Sequence, residues 1–338
     1  MRSVPVAALL GLFALAPVVA APVPKAGPPR LIAVSSHKDG LWGVYVVHPD
    51  TGESKRLTPP KSVAYGPTWS PDGSRLAYSA RDSGHSEVWT MKPDGTDARQ
   101  LTKTQGDCSE RRWSPDGKRI AFILGKDGKD RICVVDVATG KVTETSDGSF
   151  PCEQLAWSPD GTRLLYARRV GKYSLHTVNP DGTDDRKLSD PLGGRYAAWS
   201  PDGARLVYTT FVADAPPGWH LFTVGADGKG KKQLTPVASA NGYASPHWSP
   251  DGNRIAFGVV EDGVNQLATV SAAAGEVKVI TAGPRAHTHP RWSPDGKSLG
   301  YVRTKPGERG ELVVSDPDGT NAKVLLVNVD GPVEWKPK

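Results

Sequence analysis

Three histidines offer the most obvious chemistry. His287 and His289 alternate along an extended segment, so both rings can share one side of a strand, and His247 stands immediately before Trp248. With Asp330 adding an oxygen from the following repeat, such a group would suit a first-row transition metal. Yet His289-Pro290 occupies the place that Ser245-Pro246 and Gly66-Pro67 hold elsewhere, which marks it as one copy of a recurring rim segment. The expectation is therefore no cofactor and no metal, with His247, His287 and His289 as the metal-site alternative. Cys108 and Cys152 each lie five residues before a Trp, and equivalent positions in adjacent units suggest a disulfide between them. Cys133 sits in an apolar run and reads as a small buried hydrophobe. No His-Glu-x-x-His, phosphate loop or dinucleotide fingerprint occurs, and no catalytic residue is assigned.

These side chains are related because a repeat positions them. Trp-Ser-Pro-Asp-Gly occurs six times, at Trp69, Trp113, Trp157, Trp199, Trp248 and Trp292, with a degraded seventh copy at Trp335. Spacings of 42 to 49 residues match the period of four-stranded propeller blades. Each Trp ends a short first strand, and Ser-Pro-Asp-Gly makes a tight turn in which Pro presets φ and Gly accepts positive φ. A second strand follows, as in Ile120-Ala121-Phe122, then a third, a turn often written Pro-Asp-Gly, and an outer strand closing on Leu-Thr or Leu-Ser. With 37 glycines and 30 prolines in 338 residues, long helices have little room. The turn aspartates read as groups bonding their own backbone, and the arginines two residues after the turn glycine as snorkelling or ion-paired.

The chain ends complement one another. Residues 31–58 supply strands two to four without a first, and residues 329–335 supply a first strand without successors. Pairing them closes a ring and removes two open sheet edges. The expected fold is thus all-β: a seven-bladed propeller over residues 31–338, six blades being the alternative if the ends stay apart. Residues 1–20, with Arg2 before an apolar run and small residues at the end, read as a secretory signal peptide, followed by a Pro-rich lead-in over residues 21–30. That makes the expected location periplasmic or secreted, with no membrane span after cleavage. Net charge is +6 before cleavage and spread along the chain, so no nucleic-acid partner is expected.

The rim of the channel on the face of the variable loops is approximated by the positions three to five residues before each Trp. These are Tyr65, Cys108, Glu110, Glu153, Gln154, Arg195, Tyr196, Tyr243, His287, His289 and Asp330. Aromatic, acidic, basic and imidazole groups so mixed suit a partner polypeptide or a polar glycan.

The core W-S-P-D-G-x-R-[LI]-A-[YF], with its downstream Asp-Gly and Leu-Thr, resembles the WD40-like β-propeller (PD40) repeats of the TolB C-terminal domain, over residues 31–338 and without the TolB N-terminal domain. The resemblance implies a non-catalytic scaffold binding an envelope protein or exported peptide. The same repeats occur in prolyl-oligopeptidase-type peptidases and in oligogalacturonate lyase. The second likeness implies the alternative, a metal-dependent carbohydrate-active enzyme using the central channel.

Overall fold

In a computed structural model the chain is described over residues 30–81, 84–188, 194–213, 217–235, 244–273 and 275–338. The expected signal peptide, most of the lead-in, and Tyr243 lie outside the described residues. Those described form strands and turns without a helix.

Five antiparallel sheets of four strands carry the five Trp motifs from Trp69 to Trp248 and are numbered here as blades I to V. A sixth sheet of seven strands is two blades sharing one long strand, Lys323–Trp335. Its first half pairs with Gly310–Ser315 as the outer strand of blade VI. Its second half pairs with Ile32–Ser36 as the inner strand of blade VII, placing Trp335 opposite Ile32 and Asp330 opposite Ser35. The ring therefore has seven blades and is closed by the pairing of its ends.

The tryptophan recurs because each indole ties its blade to the one before. Trp69, Trp113, Trp157, Trp248, Trp292 and Trp335 donate Nε1–H to the carbonyl of the residue preceding the neighbouring blade's Trp, at 3.0 to 3.2 Å. Trp69 makes this bond to Glu334, across the junction of the two ends. Trp199 is the exception, its buried Nε1 having no partner among the described residues. The apolar core lies between blades: Ala33, Val44 and Leu57 of blade VII pack with Trp69, Leu76 and Tyr78 of blade I.

The Ser-Pro-Asp-Gly turns are held as the residue types require. In all six, the Ser hydroxyl donates to the Asp carboxylate and accepts the N–H five residues on, while the carboxylate accepts the N–H two residues on. The arginines after these turns divide into two groups. Arg75 and Arg163 pair with Asp97 and Asp184 at 2.7 and 2.8 Å. Arg119, Arg205 and Arg254 instead lie over the next blade's Trp ring, 4.5 to 5.0 Å from its centroid. Both arrangements are structural.

Candidate functional site

Each inner strand is broken by a β-bulge just before its Trp. The bulge residue is left-handed: Gly66, Glu110, Gln154, Tyr196, Ser245, His289 and Gly331, with φ from 49 to 80°. Five of the seven are not glycine, and each pays a steric cost of roughly 1–3 kcal/mol in that conformation. A bulge turns one side chain away from strand alternation. Here it sends the residue three before the Trp into the ring's centre in blades I to VI.

The centre is a channel of about 810 Å³, lined from these bulges at one mouth to the prolines of the Ser-Pro turns at the other. This is within the roughly 300–1,000 Å³ typical of ligand sites. Of the residues expected at the rim, Glu110, Gln154, Tyr196 and His289 line the channel, as does His247. Two of these are partly engaged in the framework, since Glu110 Oε2 accepts the Leu155 N–H at 2.8 Å and Gln154 Oε1 accepts the Tyr196 N–H.

The remaining rim candidates turn aside. Tyr65 bonds Ser86 through its hydroxyl and lies beneath the Arg111 guanidinium. Arg195 packs over Tyr173 and Tyr196 and faces Glu153 at 3.8 Å. Asp330 is exposed and accepts the Gly331 N–H at 2.8 Å. His287 is 5% exposed, edge-on to Tyr301 at 5.7 Å. The expected sharing of one strand side by His287 and His289 therefore fails, because the bulge between Thr288 and Arg291 interrupts the alternation. Among the described residues, no three His, Cys, Asp or Glu side chains are grouped to hold a metal.

The disulfide expectation is also corrected, as all three thiols are free and buried. Cys108 packs at the interface of blades I and II, with Ala77 and Val88, whereas Cys152 packs at that of blades II and III, with Ala121 and Ile132. Positions related by rotation about a ring point the same way round, not toward one another. Burial pushes the Cys108 thiol up to about 11 and the Cys152 thiol to about 12, so neither is a ready nucleophile.

Four channel residues were missed by looking three to five places before the Trp. Arg111, Arg112, Arg291 and Glu334 stand one or two places before it, where the strand runs deeper along the wall. Arg111 is a strut: its guanidinium donates to Ser79 Oγ at 2.6 Å and to the carbonyls of Cys108 and Gly66 at 3.2 Å. Arg112 and Arg291 each donate to the carbonyl of the residue just before, and among the described residues neither makes an ion pair. Burial, and then the charge of Arg291, push His247 down to about 3, leaving a neutral ring with an unpartnered Nδ1. Gly296-Lys297-Ser298-Leu299-Gly300 spells Gly-x-Ser-x-Gly, but it runs from a blade turn into a strand with no helix behind it, unlike a nucleophile elbow.

The model of the TolB beta propeller domain, PD40, matches residues 18–201 and 196–328. The chain belongs to this family. Among solved structures, TolB from Acinetobacter baumannii is 18% identical with a TM-score of 0.60, covering 92% of this chain and 83% of that one. Oligogalacturonate lyase from Vibrio parahaemolyticus is 15% identical with a TM-score of 0.62, covering 88% and 85%. The β-propeller domain of the Trilobed protease from Pyrococcus furiosus is 16% identical with a TM-score of 0.66, covering 90% and 97%. That domain is described as having an open velcro topology, whereas the PD40 ring here is closed by strand pairing. At such identities these likenesses establish the fold. No curated protein matches.

The buried imidazoles set a pH dependence. Burial first, then Arg303, lowers His287 to about 4, and burial also lowers His289. A base whose folded pKa lies below its unfolded value of about 6.5 supports stability above that value and withdraws it as pH falls toward the folded pKa. The unfolding temperature is expected to fall between about pH 6.5 and 4, and to fall further below about pH 4 as the hydrogen-bonded turn aspartates protonate. His287→Phe should lessen the first decline without removing it, because His247 and His289 are lowered by burial too, and should leave the second; an unchanged profile by scanning calorimetry would refute the assignment.

Proposed function

We propose that this PD40 propeller is a non-catalytic binding scaffold of the bacterial cell envelope whose central channel receives an extended segment of a partner, either an envelope protein or an exported peptide. One observation carries the reading. Five inner strands hold non-glycine residues in a left-handed conformation at the channel mouth, and strain of this kind is retained where a side chain must be aimed. The family supports a scaffold, and the N-terminal sequence supports an envelope location. The carbohydrate-enzyme alternative receives no comparable support, because His287 turns into its blade while His247 and His289 line the channel.

The test is photo-crosslinking. A photoreactive residue placed at Tyr196 or His289 is expected to trap a partner from envelope extract, and the same group at Lys187 on the outer strand is not. Equal capture at all three positions, or capture at Lys187 alone, would move the interface off the channel.

A further inference from the structure

We propose that the channel is an anion site which selects acidic peptide segments, holding their carboxylates between Arg112 and Arg291. This rests on the channel being the partner site and adds the chemistry of what enters it.

Two guanidiniums line the channel, and among the described residues neither forms an ion pair. Arg112 Nη1 reaches the Arg111 carbonyl at 2.9 Å, and Arg291 Nη1 reaches the Pro290 carbonyl at 3.0 Å. A guanidinium has five N–H donors in a fixed fork. Most donors of both therefore remain for a ligand. Arg112 is felt by the other guanidiniums: burial is the main influence lowering Arg291, Glu334 opposes it and Arg112 adds to it, and Arg112 acts in the same sense on Arg111. Like charges enclosed together are relieved by an anion between them, and a carboxylate matches the fork in a bidentate manner. His247 adds a ring nitrogen on the same wall that has no partner among the described residues.

Two carboxylates line the channel as well. Glu110 is turned to the Leu155 N–H. Glu334 supports the charged form of Arg291 without pairing to it, and so tempers the site instead of filling it.

The rest of the wall can hold a peptide. Besides these charges it is built largely of proline, tryptophan, alanine and Leu155, with uncharged polar groups such as Thr68, Gln154, Tyr196 and Ser245 that can bond an extended backbone. Apolar walls with a few converging charges suit an extended backbone bearing acidic side chains. The chain's positive net charge would draw such a segment in.

Fluorescence anisotropy tests this with a fluorescein-labelled hexapeptide of alternating Asp and Glu, its Asn and Gln counterpart, and unlabelled trigalacturonate as competitor. The protein should bind the acidic peptide at least tenfold tighter than the amide version. Arg112→Gln with Arg291→Gln should abolish the difference, the double lysine replacement should retain part of it, and Glu334→Gln should tighten acidic binding. Should the glutamine pair not fold, the lysine pair and Glu334→Gln decide the matter by their opposite signs. Equal binding of both peptides, unaffected by the arginines and blocked by modification at Tyr196, would overturn the anion site while leaving the channel as a scaffold. No peptide binding together with no crosslinking from Tyr196 would overturn both. Arginine-dependent binding of trigalacturonate without the peptide would overturn peptide selection in favour of a uronate.

Discussion

Gly319→Ala is expected to destabilise the protein by about 2–6 kcal/mol, an overlap of roughly 1–3 kcal/mol added to a similar backbone cost. Gly319 ends a Pro-Asp-Gly turn at φ +86°, and a Cβ there would run into the carbonyl oxygen of Ile280 on the preceding blade. The same approach recurs at Gly182 and Gly95, where a Cβ would stand 2.7 and 2.9 Å from the carbonyls of Thr145 and Leu57. These glycines serve the turn and also let one blade's turn rest on its neighbour's outer strand. Gly52 separates the two roles, with φ +74° and no atom within 4 Å of the place a Cβ would take. Gly52→Ala should therefore lose only the backbone part, about 1–3 kcal/mol. Urea unfolding of both variants measures the difference, and equal losses would show that the contact between blades contributes nothing.

The second large effect is expected at ring closure. Trp335 is 8% exposed, packs with Ile32, Val34, Leu312 and Val333, donates to the Arg291 carbonyl at 3.1 Å and carries Arg30 over its ring. Trp335→Ala should cost about 3–5 kcal/mol, as for large aromatic truncations in cores. Trp199→Ala is the internal comparison, since Trp199 is less buried and its Nε1 makes no hydrogen bond. The loss there should be smaller by at least the roughly 1 kcal/mol of a net hydrogen bond. If thermal and urea unfolding rank Trp199→Ala as the more damaging, the interblade indole bond is not what stabilises the ring.

Much of the fold was legible because local chemistry repeats. Ser-Pro-Asp-Gly states its turn through Pro and Gly alone, and the hydroxyl and carboxylate bonds confirm that each residue type is used locally. Closure was legible too, because a lone first strand at one end and three orphan strands at the other leave few ways to satisfy the backbone. The site was less so. A spacing argument assumes strict alternation, and the bulge before each Trp breaks it, turning His289 into the channel and leaving His287 in its blade. For the same reason Arg112 and Arg291, nearer the Trp, do not stand out in a linear reading. Nor does a rotation axis announce itself in sequence, and without one Cys108 and Cys152 look like partners.

The strand Lys323–Trp335 has a consequence for biogenesis. It is outer strand to blade VI and inner strand to blade VII, and Ile32 meets Trp335 about 300 residues further along the chain. A polypeptide made from its N-terminus first would expose the bare edge of Ile32–Ser36 until that last segment emerged. Contacts so distant form late, and an unpaired edge meanwhile invites association with other chains. The interval before closure is thus the window in which a holding factor would be most useful, and a nascent chain lacking its final dozen residues should be the species most prone to aggregate.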